Sequence, residues 1–319
     1  MGDFLQQLMG YINPYYLQII VNIGIGIILA LGLNVVTGLT GQLSLGHAAF
    51  MSIGAFTSAI LTIKLGMPFT VNMVLTGFIT AAVAALIGLP ILRLTGDYLA
   101  ICTLGFAEIV KVVFLNLDIT NRALGLSVPA PNTTIPMPIV VWIVVLLTII
   151  IVSFIHNSRF GRALMAVRGD EIAAEAMGIN VTLYKVQSFA LGAFIAGIGG
   201  GLYAHFMGYI NPSDFGFLKS VDILSMVVLG GLGSITGSVI GATILSAAPE
   251  FLRFMANYRM LVYGGLLVCM MIFRPNGLMG GISFTGLVLR TLGLKPHMRT
   301  IMEQKISESE TSGPGNGDT

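Results

Sequence analysis

Long apolar runs separated by short polar stretches set the plan of the chain. Six of them precede residue 210, at about Leu17–Val36, Ala48–Ile63, Phe69–Leu92, Tyr98–Leu115, Pro138–Ile155 and Val186–Met207, and another lies at about Met260–Phe273. A helix needs about 20 mostly apolar residues to cross the hydrocarbon of a bilayer. The runs approach that length and are continuous rather than alternating in steps of two, so they predict spanning helices and not barrel strands. Three regions break the pattern. Residues Asn116–Met137 are polar and rich in proline, as befits a long loop outside the membrane. Residues His156–Lys185 hold the densest charge in the middle of the chain. The stretch after Arg290 ends in SESETSGPGNGDT, a composition that stays disordered. The expected organisation is a transmembrane domain over residues 1–289, with an extramembrane loop at about 156–185, and a polar, partly disordered tail over 290–319.

Orientation follows from Lys and Arg. The 156–185 loop and the tail are the two basic regions, so both are expected in the cytoplasm. The sixth run then leaves the cytoplasm and the run at Met260–Phe273 returns to it. Residues Val221–Ala248, between them, must therefore begin and end outside. About 28 residues are too few for two full crossings at 1.5 Å per residue. The segment reads as a re-entrant pair of half-helices broken near Gly230–Gly233, buried within the bundle because irregular backbone is tolerated at depth only there. The predicted fold is an all-α polytopic membrane protein with about eight transmembrane helices plus this glycine-rich pair. Gly233, Gly237 and Gly241 repeat at four-residue steps, and Gly197 and Gly201 form a similar pair, a spacing that lets membrane helices approach closely. Breaks at Gly38–Gly41 and Gly230–Gly233 also expose helix ends that can meet a polar solute near the midplane.

Composition agrees. Only 9% of the 319 residues are charged, against about 25% in soluble domains, and the mean hydropathy is +0.90. The balance of 16 Lys+Arg against 14 Asp+Glu, with no basic stripe, leaves membrane lipid and not nucleic acid as a partner. Cys102 and Cys269 sit far apart in apolar runs and suggest neither a metal nor a disulfide. No Lys or Arg lies among residues 1–16, so no cleavable signal peptide is expected. There is no P-loop, no HExxH and no nucleophile–base constellation. The chain is therefore expected to lack catalytic residues, metal ligands and cofactors.

A few polar residues inside or beside the runs remain. Glu108 and Lys111 stand at i and i+3 and can pair. They either orient the helix or line a solute path. His47 and His205 are either satisfied bundle histidines or proton relays. With the glycine breaks, Gln42, Ser44, His47, Glu108, Lys111, Gly233 and Ser234 are the candidates for a translocation path. In the polar loop, Ile172, Ala173, Ala176 and Met177 share one face of a short helix that Gly178 stops. Such a helix suits either a groove of another protein or the lipid interface.

Several strings together resemble LivM-type permeases, the membrane subunits of branched-chain amino acid ATP-binding cassette importers. They are NVVTGLTGQLSLGHAAFMSIGAF (Asn34–Phe56), GDYLAICTLGFAEIVKVV (Gly96–Val113), the run from Arg159 to Ala204, VVLGGLGSITGSVIGA (Val227–Ala242) and FRPNGLMG (Phe273–Gly280). The resemblance implies an inner-membrane, multi-pass, non-catalytic subunit. It also implies two separate ATPase subunits, a second related permease of LivH type and an extracytoplasmic solute-binding protein. No ATPase domain is expected within this chain. It further implies that the polar loop carries a coupling helix of the Glu-Ala-Ala-x-x-x-Gly kind. Counting back from Gly178 puts Ile172 at the Glu position, followed by Ala173 and Ala174, with the acidic residue displaced to Glu171. Arg168, Asp170, Glu171, Ala173, Ala174, Glu175 and Gly178 are then the expected ATPase-coupling residues. Relatives that import urea, amides or other small polar solutes share the architecture, and the residues do not separate them. A stand-alone secondary transporter is the alternative of another class, opposed by the loop helix and by the lack of a chain of intramembrane carboxylates.

Overall fold

The computed structural model describes residues 14–131, 135–251 and 264–265. Ten helices account for most of these. Helix α1 (Pro14–Leu33) runs into a π-helical turn over Asn34–Gly38. There follow α2 (His47–Leu65), α3 (Phe69–Ile91), α4 (Asp97–Asn116) and α5 (Met137–Asn157). Two short helices, α6 (Arg159–Gly169) and α7 (Glu171–Ala176), lead into the long α8 (Val181–Met207). Helices α9 (Phe217–Gly230) and α10 (Ile235–Phe251) form a hairpin. Six of the described helices are long and apolar enough to span a membrane: Tyr15–Gly38, α2, α3, α4, α5 and α8. They coincide with the first six apolar runs to within a few residues. The expected run at Met260–Phe273, apart from Gly264 and Gly265, the FRPNGLMG string, Cys269 and the tail after Arg290 lie outside the described residues.

Helix α8 is the hub, packed most extensively on α3 and α2 and then on α1. Small residues make this possible. A Cβ on Gly54 of α2 would stand 2.3 Å from the Gly197 carbonyl oxygen, and one on Gly200 of α8 would stand 2.0 Å from that of Met51. The two backbones touch, which is how membrane helices gain packing when lipid removes the hydrophobic drive between them. The same device closes the α9–α10 hairpin. A Cβ on Gly230 or on Gly237 would come within 2.1 Å of the other's carbonyl oxygen. Large apolar side chains instead point outward from α3, α4 and α5, as Leu86, Ile101 and Phe154 do. An apolar exterior of this extent suits lipid or a partner chain and not water.

At one end of the bundle, residues 116–131 fold back onto the segment after α8. Strand β1 (Leu126–Ser127) pairs antiparallel with β2 (Tyr209–Ile210), and the Tyr209 hydroxyl donates to the Leu124 carbonyl at 2.7 Å. His205 lies beneath this cap, with Nε2 at 3.1 Å from the Ser58 hydroxyl and Nδ1 at 3.4 Å from the Pro129 carbonyl. It is the satisfied bundle histidine of the two readings. The end of α10 returns to the same end of the bundle as the start of α1, where the Tyr15 hydroxyl donates to the Glu250 carboxylate.

Replacing Gly54 or Gly200 by Val is expected to remove most folded protein, because backbone cannot yield as a side chain tip can. Overpacking of this kind costs about 1–3 kcal/mol even where side chains give way. Gly105→Val, whose Cβ meets nothing within 4 Å, is the control. Monodisperse yield in detergent and the midpoint of thermal unfolding are the measurements.

Candidate functional site

Two interruptions of helix meet inside the protein. The first follows α1. The π-helical turn ends at Gly38, and residues 41–46 are irregular, with Gly41 at φ +73°. The second is the turn between α9 and α10, where Gly231 and Gly233 adopt φ of +108° and +85°. Side chains other than glycine rarely adopt these angles. A Cβ on Gly38 would sit 2.6 Å from the Gly233 nitrogen, so the interruptions are in contact. Glycine patterning had singled out both positions; the structure joins them.

Broken helices leave N–H and C=O groups without partners. Asn34, 1% exposed, serves the second break with both ends of its amide. Its Oδ1 accepts from Gly233 N at 2.9 Å, and its Nδ2 donates to the Ser234 carbonyl at 3.4 Å. Ser234 Oγ accepts from Gly237 N at 3.0 Å and starts α10. Arg168 serves the first break. Its guanidinium donates to the Gly38 carbonyl at 2.5 Å, and its stem lies on Gly41. A Cβ on Gly233 would be 2.8 Å from the same guanidinium. Arg168 therefore touches both breaks from the polar loop.

The loop itself is built from local capping. Ser158 caps α6 by accepting from Gly161 N, and Leu164 and Val167 bury its inner face. Asp170 ends α6 and caps α7 by accepting from Ala173 N at 3.0 Å. Gly178, at φ +84°, turns the chain away, and Asn180 caps α8 by accepting from Leu183 N. Glu171 accepts an ion-paired bond from Lys185 at 2.6 Å, and the lysine side chain is 4% exposed. This pair fastens α7 to the first turn of α8. The apolar residues of α7 are left uncovered, with Ile172 82% and Met177 83% exposed and Ala173, Ala176 and Glu175 also exposed.

Ala174 differs. It is 4% exposed and packs inward, so it supports α7 from behind. Glu171 also faces its own chain through Lys185. Among the path candidates, Gly233 and Ser234 lie at the joined breaks. Gln42, Ser44 and His47 are buried on the link between α1 and α2, with Ser44 Oγ accepting from Gly46 N at 3.4 Å. Among the described residues neither amide atom of Gln42 nor Nε2 of His47 has a hydrogen-bond partner. Glu108 and Lys111 do pair, at 3.2 Å, but far along α4, where a Cβ on Gly216 would be 3.4 Å from the lysine nitrogen. They belong to the capped end of the bundle and are not brought to the breaks. Among the described residues no group of His, Cys, Asp and Glu is arranged to hold a metal ion.

The family described as branched-chain amino acid transport system / permease component matches residues 15–271. The chain belongs to this family. It is 38% identical over 285 residues to the high-affinity branched-chain amino acid transport system permease protein LivM of Salmonella typhimurium, covering 79% of this chain and 67% of that protein. LivM of Escherichia coli matches to the same extent. BraD of Pseudomonas aeruginosa, a permease protein of the same description, is 29% identical over 297 residues, covering 83% of this chain and 96% of that protein. No solved structure matches the chain. The permease is thus a multi-pass membrane protein. Two of the residues that hold its loop and breaks together, Asn34 and Lys185, escape a reading of the sequence. Asn34 bonds a residue 199 positions away, and its one signal is a polar side chain inside an apolar run, four residues before Gly38.

Asn34→Leu in the permease is expected to orphan the Gly233 N–H and the Ser234 carbonyl. Each buried unsatisfied group costs about 1–3 kcal/mol. Asn34→Asp keeps the acceptor for Gly233 and is expected to lose less. Thermal unfolding of the purified protein in detergent should rank wild type above Asn34→Asp above Asn34→Leu.

Proposed function

We propose that the permease carries branched-chain amino acids across the cell inner membrane as one subunit of an ATP-binding cassette importer. Two separate ATPase subunits drive it, a second related permease of LivH type pairs with it, and an extracytoplasmic solute-binding protein delivers the cargo. The observation that carries this reading is α7. A six-residue helix presents Ile172 and Met177 almost fully exposed while Glu171 and Lys185 anchor its other side. Exposed apolar side chains on a rigid mount are what a cleft in a partner requires. Membrane lipid alone would demand no such anchor and no link to the interior.

The same geometry supplies a transmission. Movement of α7 by the ATPases moves α6, which the Asp170 cap joins to it, and with α6 the guanidinium of Arg168. That group is bonded to Gly38 and abuts Gly233, so the seam between the two breaks shifts as the motor closes. Alternating access needs two conformations of similar energy, and a seam held by few hydrogen bonds can separate without unpacking the α2–α8 core. The chain performs no chemistry of its own in this scheme. ATP is hydrolysed by the partners.

Orientation is part of the proposal. With the basic 156–185 loop in the cytoplasm, the β1–β2 cap faces out. Helices α9 and α10, of 14 and 17 residues, rise about 21 and 25 Å at 1.5 Å per residue, short of a hydrocarbon core about 30 Å thick. They read as a re-entrant pair that starts and finishes outside with its tip beside Arg168. Cysteines placed at Ser213 and at Met177 in a cysteine-free background test this. A membrane-impermeant thiol reagent should label the first from outside only and the second from the cytoplasm only. Labelling of both from one side overturns the topology.

In proteoliposomes holding the complete importer, ATP-driven leucine uptake should fall at least about tenfold for Ile172→Glu with Met177→Glu, on the scale of lost interface anchors. Assembly of the two permeases should persist. Uptake at the wild-type level would remove α7 as the contact with the motor.

A further inference from the structure

Three spans turn one face outward, and the faces are not alike. On α3 the polar and small residues Asn72, Thr76, Gly77 and Thr80 are buried against the bundle, and every exposed position from Val71 to Leu89 is apolar. Helix α5 likewise turns Thr148 inward and exposes only apolar side chains from Trp142 to Phe154. Hydrocarbon accepts both faces. Helix α4 departs from the pattern. Tyr98, Ile101, Gly105, Glu108, Ile109 and Val112 recur at three- and four-residue steps and share its outward face. Gly105 is exposed, and a Cβ there would meet nothing within 4 Å. Glu108 keeps 44% of its side chain exposed although it pairs with Lys111 at 3.2 Å. It stands eight residues, about 12 Å, before the end of α4, within a helix long and apolar enough to span a membrane. Its stem is too short to carry the charge to the interface as a lysine stem does. Glycine weakens a helix interior, and a charge facing lipid is expensive. Among the described residues nothing covers this face and offsets either cost.

We propose that this face of α4 is where the second permease packs, with its closest approach at Gly105 and with Glu108 covered by the contact. An open glycine in the middle of a helix face lets another helix come in backbone to backbone, as Gly54 and Gly197 do within this chain. A protein surface can also offer the Glu108 carboxylate a donor, which lipid tails cannot. The occupant follows from depth. The ATPases act from the cytoplasmic side and the solute-binding protein from the outer side. Of the partners in the import reading, the second permease is the one that reaches the interior of a span. The opposite side of α4 carries Thr103, whose hydroxyl accepts from the Leu45 N–H at 3.1 Å, on the link that follows the first break. One helix therefore bears the link on one side and the partner on the other, so displacement of the link is felt where the two permeases meet. This inference rests on the import reading given above and adds the surface that joins the pair.

The test uses the complete importer in nanodiscs. Photo-reactive benzoylphenylalanine in place of Ile109 should, on irradiation, join this chain covalently to the second permease. The same probe in place of Leu147, on the apolar face of α5, should give no such adduct. Gly105→Val adds a side chain where this chain has open space, so the midpoint of thermal unfolding of the chain purified alone should be kept. The amount of second permease recovered with it should fall about tenfold, on the scale of overpacking at a close contact. The probe at Ile109 gives a reading that does not depend on the Gly105 variant. No adduct between Ile109 and the second permease, an equal adduct from Leu147, or full recovery of the second permease with Gly105→Val overturns the assignment of this face and leaves the import reading standing. An Ile109 adduct to a second copy of this chain overturns it as well. Absence of ATP-driven leucine uptake by the wild-type importer in proteoliposomes overturns the import reading, and this inference with it.

Discussion

A backbone that leaves its helix must find other hydrogen-bond partners, and the amide of Asn34 supplies two of them here. Water is absent from the hydrocarbon, and each unsatisfied N–H or C=O there costs several kcal/mol. At the turn of Gly231–Ser234, Oδ1 and Nδ2 of a side chain on another element replace missing helical bonds. Everything nearby follows from that arrangement. The π-helical turn places Asn34 at the required point, Gly38 lets the two strands of backbone meet, and glycines at 230 and 237 bring α9 and α10 close enough to fill the space.

The polar loop obeys the opposite economy. It holds the densest charge in the middle of the chain, and its shape is fixed by caps and an ion pair. Ser158, Asp170 and Asn180 each accept from a backbone nitrogen at the start of a helix, which removes much of the freedom of residues 156–185 before any partner binds. The buried Lys185 gains from Glu171 what a lone ammonium at 4% exposure would lack. A loop so constrained transmits displacement, where a flexible one would absorb it. Arg168 is the single side chain that reaches from this rigid loop to both breaks, and a guanidinium with several donors in a fixed fork suits a bond to a carbonyl that has no helical partner.

The spans were legible in the sequence because hydrocarbon imposes one rule on about 20 residues at a time, and no tertiary detail can override it. The breaks were legible for a similar reason: glycine runs within apolar sequence mark positions that only glycine can occupy. The short loop helix was legible through Gly178 and the alanines, yet the inward placement of Ala174 was not, since a six-residue helix has too few turns for its periodicity to assign a buried face. Asn34 and Lys185 were out of reach for a different reason. Each owes its role to a partner from another element, and a single polar residue in a sequence carries no address for that partner. Glu108 and Lys111 attracted attention by standing inside a span, but position within α4 places them at the capped end.

The breaks also explain why a hairpin of short helices is used where a full pair of spans would pack better. A continuous helix crossing the membrane is tied to both faces and moves as a rod. Helices of 14 and 17 residues that meet at a glycine turn have a free tip, and the tip is held by Asn34 and abutted by Arg168. Under the import reading two events bear on this hairpin: solute crossing the membrane beside it, and the ATPases acting through the loop. Where two ligands bias the same two-state element, their effects on its equilibrium are reciprocal. If the ATPases then change the affinity of the permease for its solute, bound solute must change the affinity of α7 for the ATPases by the same factor. Under the import reading, motion of α7 reaches the α9–α10 hairpin through the few hydrogen bonds at Gly38, Gly233 and Ser234, and a seam held by so few bonds has two states close in energy.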